Sequence, residues 1–372
     1  MRIALIGAAL CATLVWGCND KFPGEPGDPT TDNTNWKVAF TEPLQTVPRR
    51  DGHKAVVANI DGTNREELAD GLIAGQAGKA TVAYVKDNAV YVTGRMKNGT
   101  WRTSMVFDAV GSDESIAYAS VVVSPDGRFI TFSTRSQTYG RRTYLTTVYA
   151  PANNVGVPLP IMLSHESTPV FSRDGSKLAF YGRPAGQDDL WTDPVKLYVV
   201  NTTTRSYVKI ADLNLYTLDA GSWLDISPDG SKIAFEEKGA GSDETRWVCV
   251  ANSDGSGTVR KLAESGCYPI WNADGSKIIY IGGPIKDLDL MIMNADGSGT
   301  PQNLTNTPNN LELWPQISPD GKKLMYTSYA SDPENDPGLL YTLELANPSS
   351  RTLISSDAFK GFWVREGEWA EM

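Results

Sequence analysis

Along most of the chain a tight polar turn is followed by a short apolar run, and the pair recurs. The turns are Ser124-Pro125-Asp126-Gly127, Ser172-Arg173-Asp174-Gly175, Ser227-Pro228-Asp229-Gly230, Asn272-Ala273-Asp274-Gly275 and Ser318-Pro319-Asp320-Gly321. Proline pre-sets φ, aspartate bonds its own backbone and glycine supplies positive φ, so each reads as a hairpin turn. The runs that follow begin at Phe129, Lys177, Lys232, Lys277 and Lys323, with the form Lys-Ile-Ala-Phe at its clearest in Lys232-Ile233-Ala234-Phe235. Lys37-Val38-Ala39-Phe40 and Thr81-Val82-Ala83-Tyr84 match them without the turn. The seven starts lie 44 to 55 residues apart, about one four-stranded blade of a β-propeller.

A second strand recurs in the units, at Ala55–Asn59, Val90–Thr93, Leu197–Asn201, Val248–Asn252, Leu290–Asn294 and Leu340–Leu343. Asp254-Gly255-Ser256-Gly257 and Asp296-Gly297-Ser298-Gly299 read as further hairpin turns, leading into outer strands at Val259–Leu262 and Gln302–Leu304. Each unit thus runs inner strand, turn, second strand, loop, third strand, turn, outer strand. The first unit has no inner strand ahead of Lys37. Glu366-Gly367-Glu368-Trp369-Ala370 aligns with Tyr268-Pro269-Ile270-Trp271-Asn272 and supplies one. The expected fold is all-β: a single propeller over residues 36–372 with seven four-stranded blades, six if the first two units merge. The C-terminal strand closes the ring and removes exposed edges.

The Ser-Pro-Asp-Gly turn, the Lys-Ile-Ala-Phe strand and the Val-x-Asn-x-Asp-Gly-Ser-Gly hairpin together resemble the repeats of the TolB family and its WD-like relatives. The resemblance implies a ring around a central channel, commonly used to bind proteins or saccharides. TolB proteins are soluble and carry an extra N-terminal domain, whereas a different leader precedes the repeats here.

That leader is a basic start, Met1-Arg2, and an apolar run from Ile3 to Trp16, too short to span a bilayer comfortably. Leu14-Val15-Trp16-Gly17-Cys18 resembles a bacterial lipobox, which implies a signal peptide over 1–17 and lipidation of Cys18; ordinary cleavage without lipid is the alternative. Asn19 lacks the Asp that resembles an inner-membrane retention signal, so the expected site in a Gram-negative host is the outer membrane. Residues 18–35 hold Pro23, Pro26 and Pro29 with almost no large apolar side chain and read as a flexible tether. An oxidising envelope would permit Cys249 and Cys267 to pair, and their spacing equally allows two separate thiols.

Net charge is −10, which lacks the basic footprint a nucleic-acid binder needs. Length variation falls in loops at one end of the units: Gly182–Val195 (Asp188, Asp189, Trp191, Asp193), Glu236–Arg246 (Glu236, Glu237, Asp243, Glu244) and Thr327–Gly338 (Asp332, Glu334, Asp336). Variable loops on a rigid scaffold are common binding sites. Calcium is the one cofactor these acids suggest, and none matches a twelve-residue calcium loop.

Seven residues before each repeat glycine stand Ser120, Thr168, Trp223, Tyr268 and Trp314; nine before stand Tyr118, Glu166, Gly221, Gly266 and Glu312. Alignment adds Glu366 to the first set. Aromatics and carboxylates around a channel mouth would stack on sugars or clamp a peptide, and the competing reading is packing between blades. Gly-x-Ser-x-Gly, paired-His zinc and phosphate-loop motifs do not occur. The two histidines are His53 and His165, and His165 beside Glu166 is the residual acid–base candidate. The expected function is a non-enzymatic, lipid-anchored envelope protein that binds an envelope protein or polysaccharide. The alternative is a lyase-like carbohydrate-active enzyme using the channel acids.

Overall fold

The computed structural model describes residues 36–365 apart from 44–52, 60, 71, 76–80, 96–100, 165–167, 186–194, 214–222, 239–244, 285–286, 319, 331–337 and 357–360. Among the described residues every regular element is a β-strand, arranged in seven antiparallel sheets. The first holds β1 (Trp36–Pro43), β2 (His53–Asn59) and β3 (Glu66–Asp70). The second holds β4 (Leu72–Gly75), β5 (Thr81–Lys86), β6 (Ala89–Arg95) and β7 (Trp101–Asp108). The third holds β8 (Ser115–Val123), β9 (Phe129–Ser136) and β10 (Gly140–Thr147). The fourth comprises β11 (Ile161–Leu163), β12 (Val170–Phe171), β13 (Lys177–Pro184), β14 (Lys196–Asn201) and β15 (Tyr207–Asp212). The fifth has β16 (Leu224–Ile226), β17 (Lys232–Lys238), β18 (Arg246–Asn252) and β19 (Arg260–Glu264). The sixth has β20 (Gly266–Trp271), β21 (Lys277–Gly282), β22 (Asp289–Asn294) and β23 (Gln302–Asn303). The seventh has β24 (Leu311–Ile317), β25 (Lys323–Tyr329), β26 (Leu339–Glu344) and β27 (Asn347–Ser355). The last strand, β28 (Gly361–Arg365), returns to pair with β1.

The repeated turn has one hydrogen-bond scheme. In the fifth sheet the Gly230 N–H donates to the Ser227 carbonyl at 2.8 Å. Asp229 Oδ1 accepts from Ser227 Oγ at 2.6 Å and from the Ser231 N–H at 3.0 Å, and Ser227 Oγ accepts the Lys232 N–H at 2.9 Å. Gly230 sits at φ 71°, where a side chain is disfavoured. The same bonds recur around Asp126, Asp174 and Asp320. Asn272 replaces the serine in the turn of the sixth sheet, its Oδ1 accepting the Lys277 N–H at 2.8 Å. Every turn hydroxyl and carboxylate is thereby spent on fixing the hairpin, which explains the recurrence of those residue types.

Strands next to the inner position are apolar on both faces because the sheets pack face to face. Phe132, Phe180, Tyr181, Phe235 and Tyr326 on β9, β13, β17 and β25 are all buried. Tyr181, Leu197, Phe235, Ile279 and Tyr326 belong to one apolar cluster that runs through the fourth to seventh sheets.

Four sequence expectations change. The third sheet has three strands rather than four. Residues 148–160, where its outer strand would lie, contain Pro151, Pro158 and Pro160, which cannot donate to a ladder, and Asn153 at φ 63°. The inner strand of the fourth sheet is split into β11 and β12, both paired with β13. The strand completing the first sheet is Gly361–Arg365, not the segment around Glu366–Ala370: Trp363 lies opposite Val38, as Trp271 lies opposite Ile278. Finally, Glu236 and Glu237 belong to β17 rather than to a loop, and Glu236 is buried in an ion pair with Arg246. Cys249 and Cys267 are separate thiols, and burial raises both above the usual thiol range.

Candidate functional site

The inner strands share a local defect. A bulge interrupts pairing between Ala117 and Val122 in β8, between Cys267 and Ile270 in β20, and between Leu313 and Gln316 in β24. A bulge leaves a residue unpaired and re-aims its side chain. Tyr268 and Trp314 occupy the equivalent position in two of these bulges, each at φ 54°. Bulky side chains rarely adopt that left-handed conformation, which costs of order 1–3 kcal/mol per residue. In β8 the same position is Ser120, whose Oγ donates to the Ala117 carbonyl and accepts the Ser133 N–H, each at 2.6 Å. Serine thus mends its bulge with hydrogen bonds, whereas the aromatics hold theirs by packing.

Trp223 and Trp314 are 5% and 6% exposed. The Trp223 ring lies 5.2 Å from that of Tyr268, and its carbonyl accepts the Tyr181 hydroxyl at 3.1 Å. Trp314 meets Tyr329 edge-on at 5.7 Å. Trp223 therefore packs across to the sixth sheet and Trp314 within its own, both with little surface left for a ligand, and Tyr268, half-buried, is the more accessible member of the set. The structure brings Trp223 and Tyr268 together, and places Glu312 and Trp314 on one strand. Thr168 is buried and its Oγ1 has no hydrogen-bond partner. Glu166, His165 and Glu366, with Cys18, lie outside the described residues, as do residues 186–194, 239–244 and 331–337 of the acidic loops. Among the described residues no group of three or more His, Cys, Asp or Glu is placed to hold a metal ion.

Glu312 opens the polar centre of the site. It is fully buried on β24, and its backbone N–H donates to the Leu288 carbonyl at 2.9 Å. Thr307 Oγ1 and Ser328 Oγ both donate to Oε1, while Oε2 has no partner. Burial, and less so the nearby Asp289, pushes the carboxyl up to about 7 against the pull of those hydroxyls and of Arg351. Asp289 is satisfied by hydrogen bonds: it accepts Thr305 Oγ1 at 2.9 Å, Asn303 Nδ2 at 2.6 Å and the Thr307 N–H at 3.0 Å. The Tyr326 hydroxyl is also buried beside Glu312, and burial holds it above the usual phenol range, as a weaker acid. A carboxyl that gains or loses its proton near neutrality, next to a phenol, can accept or donate a hydrogen bond at the junction of the sixth and seventh sheets.

At the other end of the inner strands, Arg173 and Asp225 form a second polar centre that sequence reasoning missed. Asp225 is buried on β16, and its Oδ2 accepts the Trp271 N–H at 2.8 Å. Burial pushes it up to about 7, opposed by that hydrogen bond and by the positive charge of Arg173. One signal was readable: Arg173 stands where three of the other four turns hold proline.

No protein-family model matches the sequence, and no curated protein matches it. Solved structures do match. TolB from Acinetobacter baumannii is 17% identical with a TM-score of 0.51, over 90% of this chain and 68% of that one. TolB from Agrobacterium tumefaciens is 14% identical with a TM-score of 0.50, over 75% of this chain and 98% of that one. A puromycin hydrolase is 13% identical with a TM-score of 0.62, over 96% of this chain and 55% of that one. These likenesses establish a TolB-like propeller fold, shared by the two TolB proteins and by a puromycin hydrolase.

Proposed function

We propose that the chain is a non-enzymatic binding protein of the cell envelope. In this reading it is a seven-bladed ring closed by β28 and held at the outer membrane by a lipid on Cys18. The inner-strand end at Tyr268 and Glu312, with the acidic loops around it, receives an envelope protein or a glycan. The observation that carries this reading is the strained, half-buried Tyr268 beside Trp223. Backbone strain that packing over-determines gathers at ligand sites. The ring is supported by contacts between sheets distant in sequence: a Cβ on Gly62 of the first sheet would stand 2.7 Å from the Ile354 carbonyl of the seventh.

The test compares wild-type protein with Tyr268→Asn, which tolerates the left-handed backbone and removes the ring. Both are used to capture envelope extract and to probe a polysaccharide array, with thermal unfolding measured in parallel. A partner held at least about tenfold more weakly by the variant, at similar melting temperature, supports the site. Turnover of a polysaccharide or peptide by the wild-type protein would replace binding with catalysis.

A further inference from the structure

Each second strand opens on a lysine at the hairpin end in the fourth, fifth, sixth and seventh sheets: Lys177, Lys232, Lys277 and Lys323. What these ammonium groups touch differs from cleft to cleft. Lys177 reaches across to the fifth sheet, where its Nζ donates to the Gly230 carbonyl at 2.7 Å and to Ser253 Oγ at 2.8 Å. Ser253 Oγ in turn donates to the Gly230 carbonyl at 2.6 Å. The cleft between the fourth and fifth sheets is bridged by the protein's own groups.

One sheet further on, the bridge is missing. The residue equivalent to Ser253 is Ala295, identified by the same backbone bond: Ser253 N–H donates to Ser231 and Ala295 N–H to Ser276. Alanine offers no hydroxyl. Lys232 is instead turned back onto Asn252 of its own sheet, at 3.3 Å from Oδ1. A cleft of about 380 Å³ stays open between the fifth and sixth sheets, lined by Lys232, Asn252, Arg260, Ser276 and Asn294 with an edge of Trp271. Arg260 is held at the rim by a 2.6 Å bond from Nη2 to the Asp296 carbonyl.

We propose that this cleft binds a small hydroxylated carboxylate, the chemistry of a monomeric sugar acid. The volume lies at the small end of ligand pockets. Two cations converge on it in a chain of net charge −10, so it selects an anionic group. A planar guanidinium matches a carboxylate, with the ammonium as a second point charge. The Nδ2 groups of Asn252 and Asn294 already donate to Ser256 and Ser298 of their own turns, so the groups left to meet sugar hydroxyls are the two amide oxygens and the Ser276 hydroxyl. Asp296 also lines the cleft, its Oδ1 bound by the Ser298 N–H at 2.9 Å and by Ser298 Oγ at 2.6 Å. A carboxylate there accepts from ligand hydroxyls and repels a phosphate dianion, which favours a singly charged, hydroxyl-bearing ligand. The cleft lies at the hairpin end, away from the Tyr268 face, and does not depend on that face binding anything.

Calorimetric titration of the full chain with D-glucuronate, D-glucose and inorganic phosphate tests it. The expected result is saturable glucuronate binding with Kd at or below about 1 mM, at least tenfold tighter than glucose or phosphate. Lys232→Met should weaken it at least about tenfold. Ala295→Leu, which copies Leu345 of the seventh sheet, should fill the cleft and abolish binding; thermal unfolding checks both folds. If Ala295→Leu melts early, Lys232→Met decides. Absence of saturable glucuronate binding, equal binding of glucose, tighter binding of phosphate, or unchanged affinity in Lys232→Met overturns the proposal.

Discussion

Arg173 Nη1 donates to the carbonyl oxygen of Ala273 at 2.8 Å, joining a turn of the fourth sheet to a turn of the sixth. The bond passes by the fifth sheet, whose inner strand carries Asp225. Turns two sheets apart touch only where inner hairpins converge, and this guanidinium spans that approach.

Replacing Arg173 with Met removes a charged hydrogen bond at a 7% exposed site. We expect a loss of about 2–3 kcal/mol in urea unfolding. The nearby Asp225 carboxyl loses its attracting charge and moves further up, so the variant's stability should go on falling to higher pH, and by more in total, than the wild type's. A variant as stable as the parent would show that the contact is incidental.

Stability should fall as pH rises from about 4 to 7. Asp225 and Glu312 are raised by burial to about 7 from ordinary values of 3.8 and 4.5. Across that window the folded protein keeps protons that the unfolded chain has released, so the unfolding free energy declines with pH and levels off above 7. The ceiling on the fall is about 4 kcal/mol for Asp225 and about 3 kcal/mol for Glu312, at about 1.4 kcal/mol per pH unit. Glu312→Gln keeps the shape without the titration and should flatten the curve. Melting temperatures across that range, compared with the parent, decide it.

Trp223→Ala and Trp314→Ala should each cost roughly 3–5 kcal/mol of stability, since both indoles are buried in the apolar core. Tyr268→Asn should cost less, because asparagine relieves part of the left-handed strain while the lost ring is half-exposed. Denaturant midpoints that rank Tyr268→Asn as the worst of the three would contradict this order.

Deleting residues 361–372 strips β1 of its β28 partner and leaves an unpaired edge. Lower melting temperature and self-association in size-exclusion chromatography are the expected readouts. Unchanged melting would show that the first sheet stands without that strand.

Cys18→Ser should leave the protein without acyl chains in a bacterial host. Mass spectrometry of the wild-type protein reads the modification directly, and an unmodified Cys18 would remove the lipid anchor from the proposal.

The turns and second strands were legible because their chemistry is local. Asp229 makes its turn bonds within two residues, and Lys232–Phe235, a short apolar run, need only pair with the next strand to form β17. The bulges were not legible, since nothing local in Tyr268 or Trp314 announces positive φ; neighbouring sheets impose it. The missing outer strand of the third sheet was readable in Pro151, Pro158 and Pro160, had the prolines been weighed against the repeat. The closing strand was placed too late because Trp369 and Trp363 both match Trp271 by residue type, and the register with β1 selects Trp363. The spacing put Tyr268 and Trp314 at equivalent positions and they occupy equivalent bulges, but it could not tell exposure: Trp223, Trp314 and Glu312 are buried by sheets distant in sequence.

The pairing of β1 with β28 also sets an order of events during synthesis. Phe40 lies opposite Gly361, so roughly three hundred residues separate partners in one ladder. Contacts this distant raise contact order and slow folding. Most sheets can close as they emerge, from hairpins whose strands are neighbours in the chain. The first sheet made is the last completed: its inner edge stays open until the final strand has left the ribosome.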